Sequence, residues 1–265
     1  MSDAELVAGL RSVSALRVGA AQRRTFDDAV IEETPIALLY NGTSYAVMMA
    51  TPTDLADFAL GFALTEGIVG NPQEFTLVDS VRGEHGIALH AAIPQSRFDA
   101  LDARQRNLAG RSGCGLCGTG ALEAAIRPVR RIVSTSTFAV AAIAEGMRQL
   151  PARQPLNQRC GGAHAAAFVH ADGIVVREDV GRHNALDKLA GALALSPQGD
   201  GYLAITSRAS YEIVHKSAAI GIAVVAAISA PTDLAIRLAD EAGITLIGFV
   251  RGEIMNVYTH PQRLR

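Results

Sequence analysis

The spacing of apolar and polar residues divides the chain into stretches of different character. Residues 1–22 show no clear period and are expected to form a mobile arm. Between 23 and 108 the pattern predicts a small α+β module. Two apolar runs, 35–40 and 44–50, are split by Asn41-Gly42, a strong hairpin signal because both residues tolerate positive φ. Thr51-Pro52-Thr53-Asp54 then opens a helix. Thr51 suits its cap, Pro52 its first turn and Asp54 its positive end. Leu55, Phe58, Ala59 and Phe62 follow at helical spacing, and Gly67 suits the stop. Strands are predicted over 75–81 and 86–93, on either side of Gly83-Glu84.

The rhythm changes at Gly110-Arg111-Ser112-Gly113, so a second domain is expected over 109–265. A short strand is expected at 132–136 and a helix at 140–150. Strand-like runs at 165–170 and 173–178 flank Asp172-Gly173, a second hairpin signal. A helix over 182–195 carries the stripe Ala185, Leu186, Leu189, Ala190 and Leu193. A regular alternation follows: strand 202–206, helix 211–220, strand 223–228, helix 233–242 stopped by Gly243, strand 244–250. Strands that are apolar throughout and alternate with helices imply a parallel sheet covered on both faces. Such sheets bind ligands at the carboxyl ends of their strands. No internal repeat interrupts the pattern.

Composition narrows the class. The 265 residues are 49% hydrophobic and 19% charged, an ordinary globular balance, and the net charge of −2 gives no electrostatic case for a nucleic-acid partner. The amino terminus is acidic and lacks the long apolar run of a secretory signal. The longest apolar tract, 220–230, is far below the ~20 residues a membrane helix needs. Three cysteines do not make a disulfide framework. A cytoplasmic protein with working thiols and no membrane partner is expected.

The thiols that bear on chemistry are Cys114 and Cys117, in Gly113-Cys114-Gly115-Leu116-Cys117-Gly118-Thr119-Gly120, ahead of a helix-forming run at 121–126. The glycines allow sharp turns and close approach of a ligand. At a helix amino terminus, the unpaired N–H groups and the dipole favour thiolate, and such thiols fall from ~8.5 to between ~3.5 and ~7.5. Four readings compete. A structural zinc site needs about four ligands, and only Cys160 and scattered histidines remain. A thioredoxin-like dithiol is expected right after an early strand, without flanking glycines. A buried structural pair does not require glycine on both sides. The fourth reading is a sulfur carrier, with Cys114 accepting a sulfane sulfur and Cys117 assisting or resolving. Zinc deaminases pair Pro-Cys-x-x-Cys with an upstream His-x-Glu or Cys-x-Glu. Here Gly113 replaces the proline and neither tripeptide occurs, so deamination is disfavoured.

Four segments together carry a family resemblance: Ser112 to Gly118 (SGCGLCG), Glu178 to Leu189 (EDVGRHNALDKL), Ser229 to Pro261 (SAPTDLAIRLADEAGITLIGFVRGEIMNVYTHP), and residues 35–67. They closely resemble the formate dehydrogenase accessory sulfurtransferase (FdhD) family, over roughly residues 25–262. The resemblance implies an α/β fold, with a carboxy-terminal α/β/α domain like that of cytidine deaminase beside the smaller α+β module. It implies a cytoplasmic sulfurtransferase that takes persulfide sulfur from a cysteine desulfurase. The sulfur then passes to the molybdenum (or tungsten) bis-guanine-dinucleotide cofactor, a bound substrate that GDP or GMP would mimic, for formate dehydrogenase. No dedicated metal is implied, and a homodimer is. The persulfide cysteine falls on Cys114, and the cofactor-binding stretch on Phe249, Val250, Arg251, Gly252, Glu253 and Ile254. Cys160 stands where the family pattern leads one to expect Thr, and the expected reading is a small packed residue. A cofactor chaperone that moves no sulfur and a zinc-dependent hydrolase on the same fold are the rival functions.

A dinucleotide substrate needs phosphate cradles. Ser207-Arg208 lies between a strand end and a helix start, where N–H groups and a guanidinium suit phosphate. Residues 229–233 repeat the arrangement, with ordinary helix capping as the alternative. Arg182, His183 and Asn184 cluster at the positive end of the 182–195 helix, behind Gly181, and are expected to line the cofactor pocket. Asn184, Asp187 and Lys188 share the helix face opposite the apolar stripe. A solvated face with a local ion pair would account for Asp187 and Lys188. Asp187, Asp233 and Glu253 are candidates to accept from guanine N1 and N2. Arg251-Gly252 follows the last apolar strand, where Arg251 suits phosphate and Gly252 close approach, with a surface turn as the alternative. His164 and His260 stay ambiguous.

Overall fold

A computed structural model describes residues 7–20, 22–109 and 128–265. Two antiparallel strands, β1 (Leu10–Val18) and β2 (Arg23–Ile31), form a ribbon of their own. The expectation of an aperiodic arm is thus corrected over 10–18. The arm's sequence hides this strand because most of its residues are exposed, so no apolar face repeats.

Next comes a four-stranded sheet, order β4-β3-β6-β5, built from β3 (Thr34–Tyr40), β4 (Thr43–Ala50), β5 (Thr76–Gly83) and β6 (Gly86–Ala92). Asn41 and Gly42 take the positive φ values, 48° and 84°, that close the β3–β4 hairpin. Along β3 every second residue is buried, so Ile36, Leu38 and Tyr40 pack against Phe58, Ala59 and Phe62 of helix α1 (Leu55–Thr65). Thr51 does not cap α1. The cap position is Asp54, in the left-handed conformation, and the Thr51 hydroxyl accepts the Val180 N–H at 3.1 Å. Helix α2 (Gln95–Ala109) follows β6.

The second half contains α3 (Val140–Gln149), α4 (Pro155–Cys160), β7 (His164–His170), β8 (Gly173–Asp179), α5 (Arg182–Leu195), β9 (Gly201–Ile205), α6 (Tyr211–Ala219), β10 (Val224–Ala227), α7 (Asp233–Ala242), β11 (Thr245–Arg251) and β12 (Ile254–Val257). Its six strands are ordered β12-β11-β10-β9-β7-β8. The expected parallel arrangement holds for β9, β10 and β11, while β7 and β12 run antiparallel to their neighbours. Leu203, Ile205, Val225, Ala227 and Leu246 pack under α5, α6 and α7. The alternate residues Tyr202, Ala204, Val224, Ala226 and Ile247 pack against Ile143 and Met147 of α3. Helices therefore cover both faces in three layers. The strand expected at 132–136 is absent: that segment is irregular, and its Ile132 N–H donates to the Ala242 carbonyl at the end of α7.

The halves meet where α1 crosses α5. A Cβ on Gly61 would sit 1.7 Å from the Asp187 carbonyl oxygen, and one on Gly191 would sit 1.9 Å from that of Asp57. Only glycine permits this backbone-to-backbone approach. Around it lies a buried polar clamp. Lys188 Nζ pairs with Asp179 at 2.8 Å and donates to the Thr51 carbonyl at 2.9 Å. Asp179 also accepts from the Thr51 N–H at 3.0 Å. Lys216 Nζ bridges Asp187 at 2.9 Å and Glu66 at 2.8 Å. Among the described residues no helix is long and apolar enough to cross a membrane.

Candidate functional site

A chain of contacts runs along the carboxyl ends of the central strands. It begins at the start of α5, where His183 Nε2 lies 2.7 Å from Glu212 and 3.4 Å from the Ser210 hydroxyl. Beside Ser210, Ala209 bridges to the next loop: its N–H donates to the Ala230 carbonyl, and the Thr232 N–H donates to its own carbonyl at 3.0 Å. In that next loop the Ser229 carbonyl accepts the Phe249 N–H at 3.2 Å. The rim ends at the β11–β12 hairpin, Arg251 paired with Ile254 across Gly252 and Glu253. Arg182, His183, Ser207, Arg208, Phe249, Arg251, Gly252, Glu253 and Ile254 are all carried by these linked segments, far apart in sequence.

Local backbone geometry explains what each segment presents. The register between β11 and β12 shifts between Gly248 and Arg251, and Phe249 has φ of 53° within that irregularity. The shift turns Phe249 outward, 37% exposed, while Val250 stays in the core. Gly252, with φ of 57°, makes the tight turn between the strands. Ser207 is buried, with its hydroxyl donating to the Arg208 carbonyl, and Arg208 is exposed. Residues 229–233 take the capping role: Thr232 accepts from the Ala235 N–H at 3.2 Å and so starts α7.

Near α5 the rim brings Arg182 and His183 close to His164 and Glu212. His164 sits across from Asp179 in the β7–β8 register. Burial holds its imidazole below the usual range, and the charges of Arg182 and His183 push it further down. Glu212 is shifted below the usual carboxylate range, first by its hydrogen bond to His183. Arg182 Nε is buried and has no hydrogen-bond partner among the described residues. An orphaned guanidinium donor costs free energy unless an acceptor arrives. Glu212 was not among the expected site residues. Its place in the first turn of the helix after Ser210 was the available signal.

Several expected residues lie elsewhere. Asn184 is buried and donates to the Met49 carbonyl at 2.8 Å and to Asp179 at 3.1 Å, so its amide is used between the halves. The solvated face expected for Asp187 and Lys188 is corrected: both are fully buried, and each pairs with a residue outside that helix. Asp187 is therefore not placed to read a base on the rim. Burial pushes its carboxyl upward against the pull of Lys216 and Thr65. At Lys216 burial works downward, but the Asp187 and Glu66 carboxylates outweigh it and raise the ammonium. His260 Nε2 lies 2.9 Å from the Asp240 carbonyl oxygen. Cys160 packs with Leu10, Leu156 and Ala163 at the base of the ribbon. Cys114 and Cys117 lie outside the described residues. The segments flanking them meet at one cavity of about 280 Å³, where Arg104 of α2 and Pro128, Val129 and Arg130 face the end of α6 at Ala218 and Ala219. That cavity is at the opposite end of α6 from the rim.

Comparison with known proteins gives one picture. Residues 31–265 match the model of the FdhD/NarQ family. A protein of Cupriavidus necator named sulfur carrier protein FdhD is 55% identical over 242 residues, covering 90% of this chain and 84% of that one. One of the same name from Variovorax paradoxus is 47% identical over 270 residues, 100% of this chain and 97% of the relative. A crystal structure from Desulfotalea psychrophila, described as a candidate formate dehydrogenase accessory protein, superposes with a TM-score of 0.73. It is 24% identical and covers 97% of this chain and 99% of that chain. This last likeness establishes the shared fold.

Proposed function

The chain belongs to the FdhD/NarQ family, and from that premise we propose that it carries sulfur on Cys114 and delivers it to a guanine-dinucleotide metal cofactor for formate dehydrogenase. The observation that carries this reading is the segment Ser112 to Gly118, two thiols framed by glycine, in a chain whose relatives are named sulfur carriers.

The thiolate of Cys114 attacks the outer sulfur of a persulfide on a cysteine desulfurase. A sulfur–sulfur bond forms on Cys114, the old one breaks, and the desulfurase cysteine leaves as thiolate. Delivery needs two electrons. Cys117 thiolate supplies them by attacking the inner sulfur of the Cys114 persulfide, which forms a Cys114–Cys117 disulfide and releases sulfide to the metal. A cellular dithiol then reduces the disulfide. Molybdenum bis(molybdopterin guanine dinucleotide) is the substrate in this scheme, not a resident group. The guanidinium groups of the rim support phosphate binding in this reading. Arg182, whose Nε has no hydrogen-bond partner among the described residues, and exposed Arg208 and Arg251 are guanidinium donors, while Gly252 makes the tight turn of the hairpin. GDP is the practical probe of that surface. A homodimer belongs to the same reading.

Incubation with a cysteine desulfurase and cysteine, followed by mass spectrometry, tests the sulfur step. The expected result is a gain of one sulfur on Cys114 that Cys114→Ala abolishes. Normal loading in that variant sinks the assignment. GDP binding without any sulfur gain points to a pure cofactor chaperone, and stoichiometric zinc in the purified protein points to a hydrolase.

A further inference from the structure

Among the described residues the β1–β2 ribbon pairs with no other strand, so each of its strands has a free edge. Two-stranded ribbons are marginal on their own, and open edges invite pairing. At its base the ribbon is tied down, with Leu10, Ala29 and Ile31 packed on Leu156 and Ala163. Towards its tip, residues 23–28 read Arg-Arg-Thr-Phe-Asp-Asp, and all are exposed except half-buried Phe26.

The order of charges on β2 is self-complementary. Symmetric antiparallel pairing of two identical strands about a perpendicular two-fold places one residue opposite its own copy. Residues then pair by equal offsets on either side, because paired side chains must share a face. With Phe26 on the axis, Arg24 stands opposite the partner's Asp28, and Asp28 stands opposite the partner's Arg24. Both pairs share the face of Phe26, so two rings meet between two ion pairs. The ribbon also has a repulsion to relieve: Arg17 of β1 lies directly across from Arg24 on this same face. Arg17 is stacked over the Phe26 ring, its guanidinium carbon 4.4 Å from the centroid. Delivery of the partner's Asp28 beside Arg24 offsets that like-charge pair. The edge of β1 offers no such solution. With Ser14 on the axis, Arg11 would face the partner's Arg17.

We infer that β2 joins edge to edge with β2 of a second copy of this chain, about a two-fold at Phe26, into a four-stranded ribbon clasped by reciprocal Arg24–Asp28 pairs. The inference rests on the homodimer of the preceding reading but not on its sulfur chemistry.

Oligomeric state, followed by analytical ultracentrifugation of the full chain, tests it through charge reversal. Arg24→Asp alone and Asp28→Arg alone each turn both pairs into like-charge contacts, and each is expected to raise the dimer dissociation constant by roughly tenfold or more. The double variant R24D/D28R restores both pairs and is expected to dimerise as the unaltered protein does. A mixture of the two single variants is expected to form heterodimers, since one strand then carries two carboxylates and the other two guanidiniums at the paired positions. That rescue excludes misfolding as the cause of the single-variant effect. A monomeric unaltered protein, single variants as tightly dimeric as the parent, or no rescue in the mixture would each overturn the inference. So would rescue by R23D/D27R in place of R24D/D28R, which belongs to an axis at Thr25. Sulfur loading of Cys114 in the same variants is expected to be unchanged, and its failure in the parent chain would strike the sulfur chemistry alone.

Discussion

Lys188 and Asp179 face each other at 2.8 Å with both side chains fully buried, one on α5 and the other at the end of β8. Both also reach across to the first half of the chain. Lys188 donates to the carbonyl of Thr51 and to the hydroxyl of Thr53, and Asp179 accepts the Thr51 N–H. The pair is therefore a joint between the two halves.

Removal of one partner leaves a buried charge without compensation. Lys188→Met is expected to destabilise the protein by about 3–5 kcal/mol in urea unfolding. A loss below ~1 kcal/mol would show that the joint carries no weight.

For Gly191→Ala two effects oppose each other. Helix propensity favours alanine by ~1 kcal/mol in the middle of α5. The new methyl would meet the Asp57 carbonyl oxygen, a backbone atom that cannot swing away. Overpacking of this kind costs ~1–3 kcal/mol, so a net drop in Tm is expected. A rise in Tm would mean that the helices are free to separate.

The edge near α5 has a pH signature. His164 is held below the ordinary imidazole range by burial, then by the charges of Arg182 and His183. For such a base the unfolded chain takes up its proton first. Stability is present above ~6.5 and is lost as pH falls from there through the folded-state value. Between pH 7 and pH 5 the Tm of the parent is expected to fall more steeply than that of His164→Gln. Parallel slopes would remove His164 from the account.

Arg182 offers the most direct probe of ligand binding. Its Nε is buried without an acceptor among the described residues, and hydrogen bonds to charged groups are worth ~1.5–3 kcal/mol. Arg182→Ala is accordingly expected to weaken GDP binding by about tenfold or more in calorimetry, with persulfide formation on Cys114 retained. Parallel loss of both would indicate misfolding.

Much of this architecture is legible in the sequence where burial is one-sided or complete. The strands from β3 to β11 and the helices α1, α3, α5, α6 and α7 fall within a few residues of their apolar patterns. Elements whose side chains face water on most sides escape such reading, as β1 and β2 do. So does α4, a single short helix whose amino end is held by the Glu178 carboxylate accepting the Leu156 and Asn157 N–H groups. The rim was legible as loops after apolar strands, since that place follows from topology. The roles of Asn184, Asp187 and Lys188 were not. A charged residue opposite an apolar stripe reads as solvated, and each of these three has a partner among Met49, Thr51 and Thr65, more than a hundred positions away. Periodicity carries no information about such partners.

Arg104 of α2 and Pro128 line one small cavity against the end of α6, so these two points of the chain are held near each other. A stretch whose two ends are already fixed close together can change length at small entropic cost, each doubling adding only ~0.6 kcal/mol. A connection between two such points is thus open to insertion and deletion without disturbing the layered core.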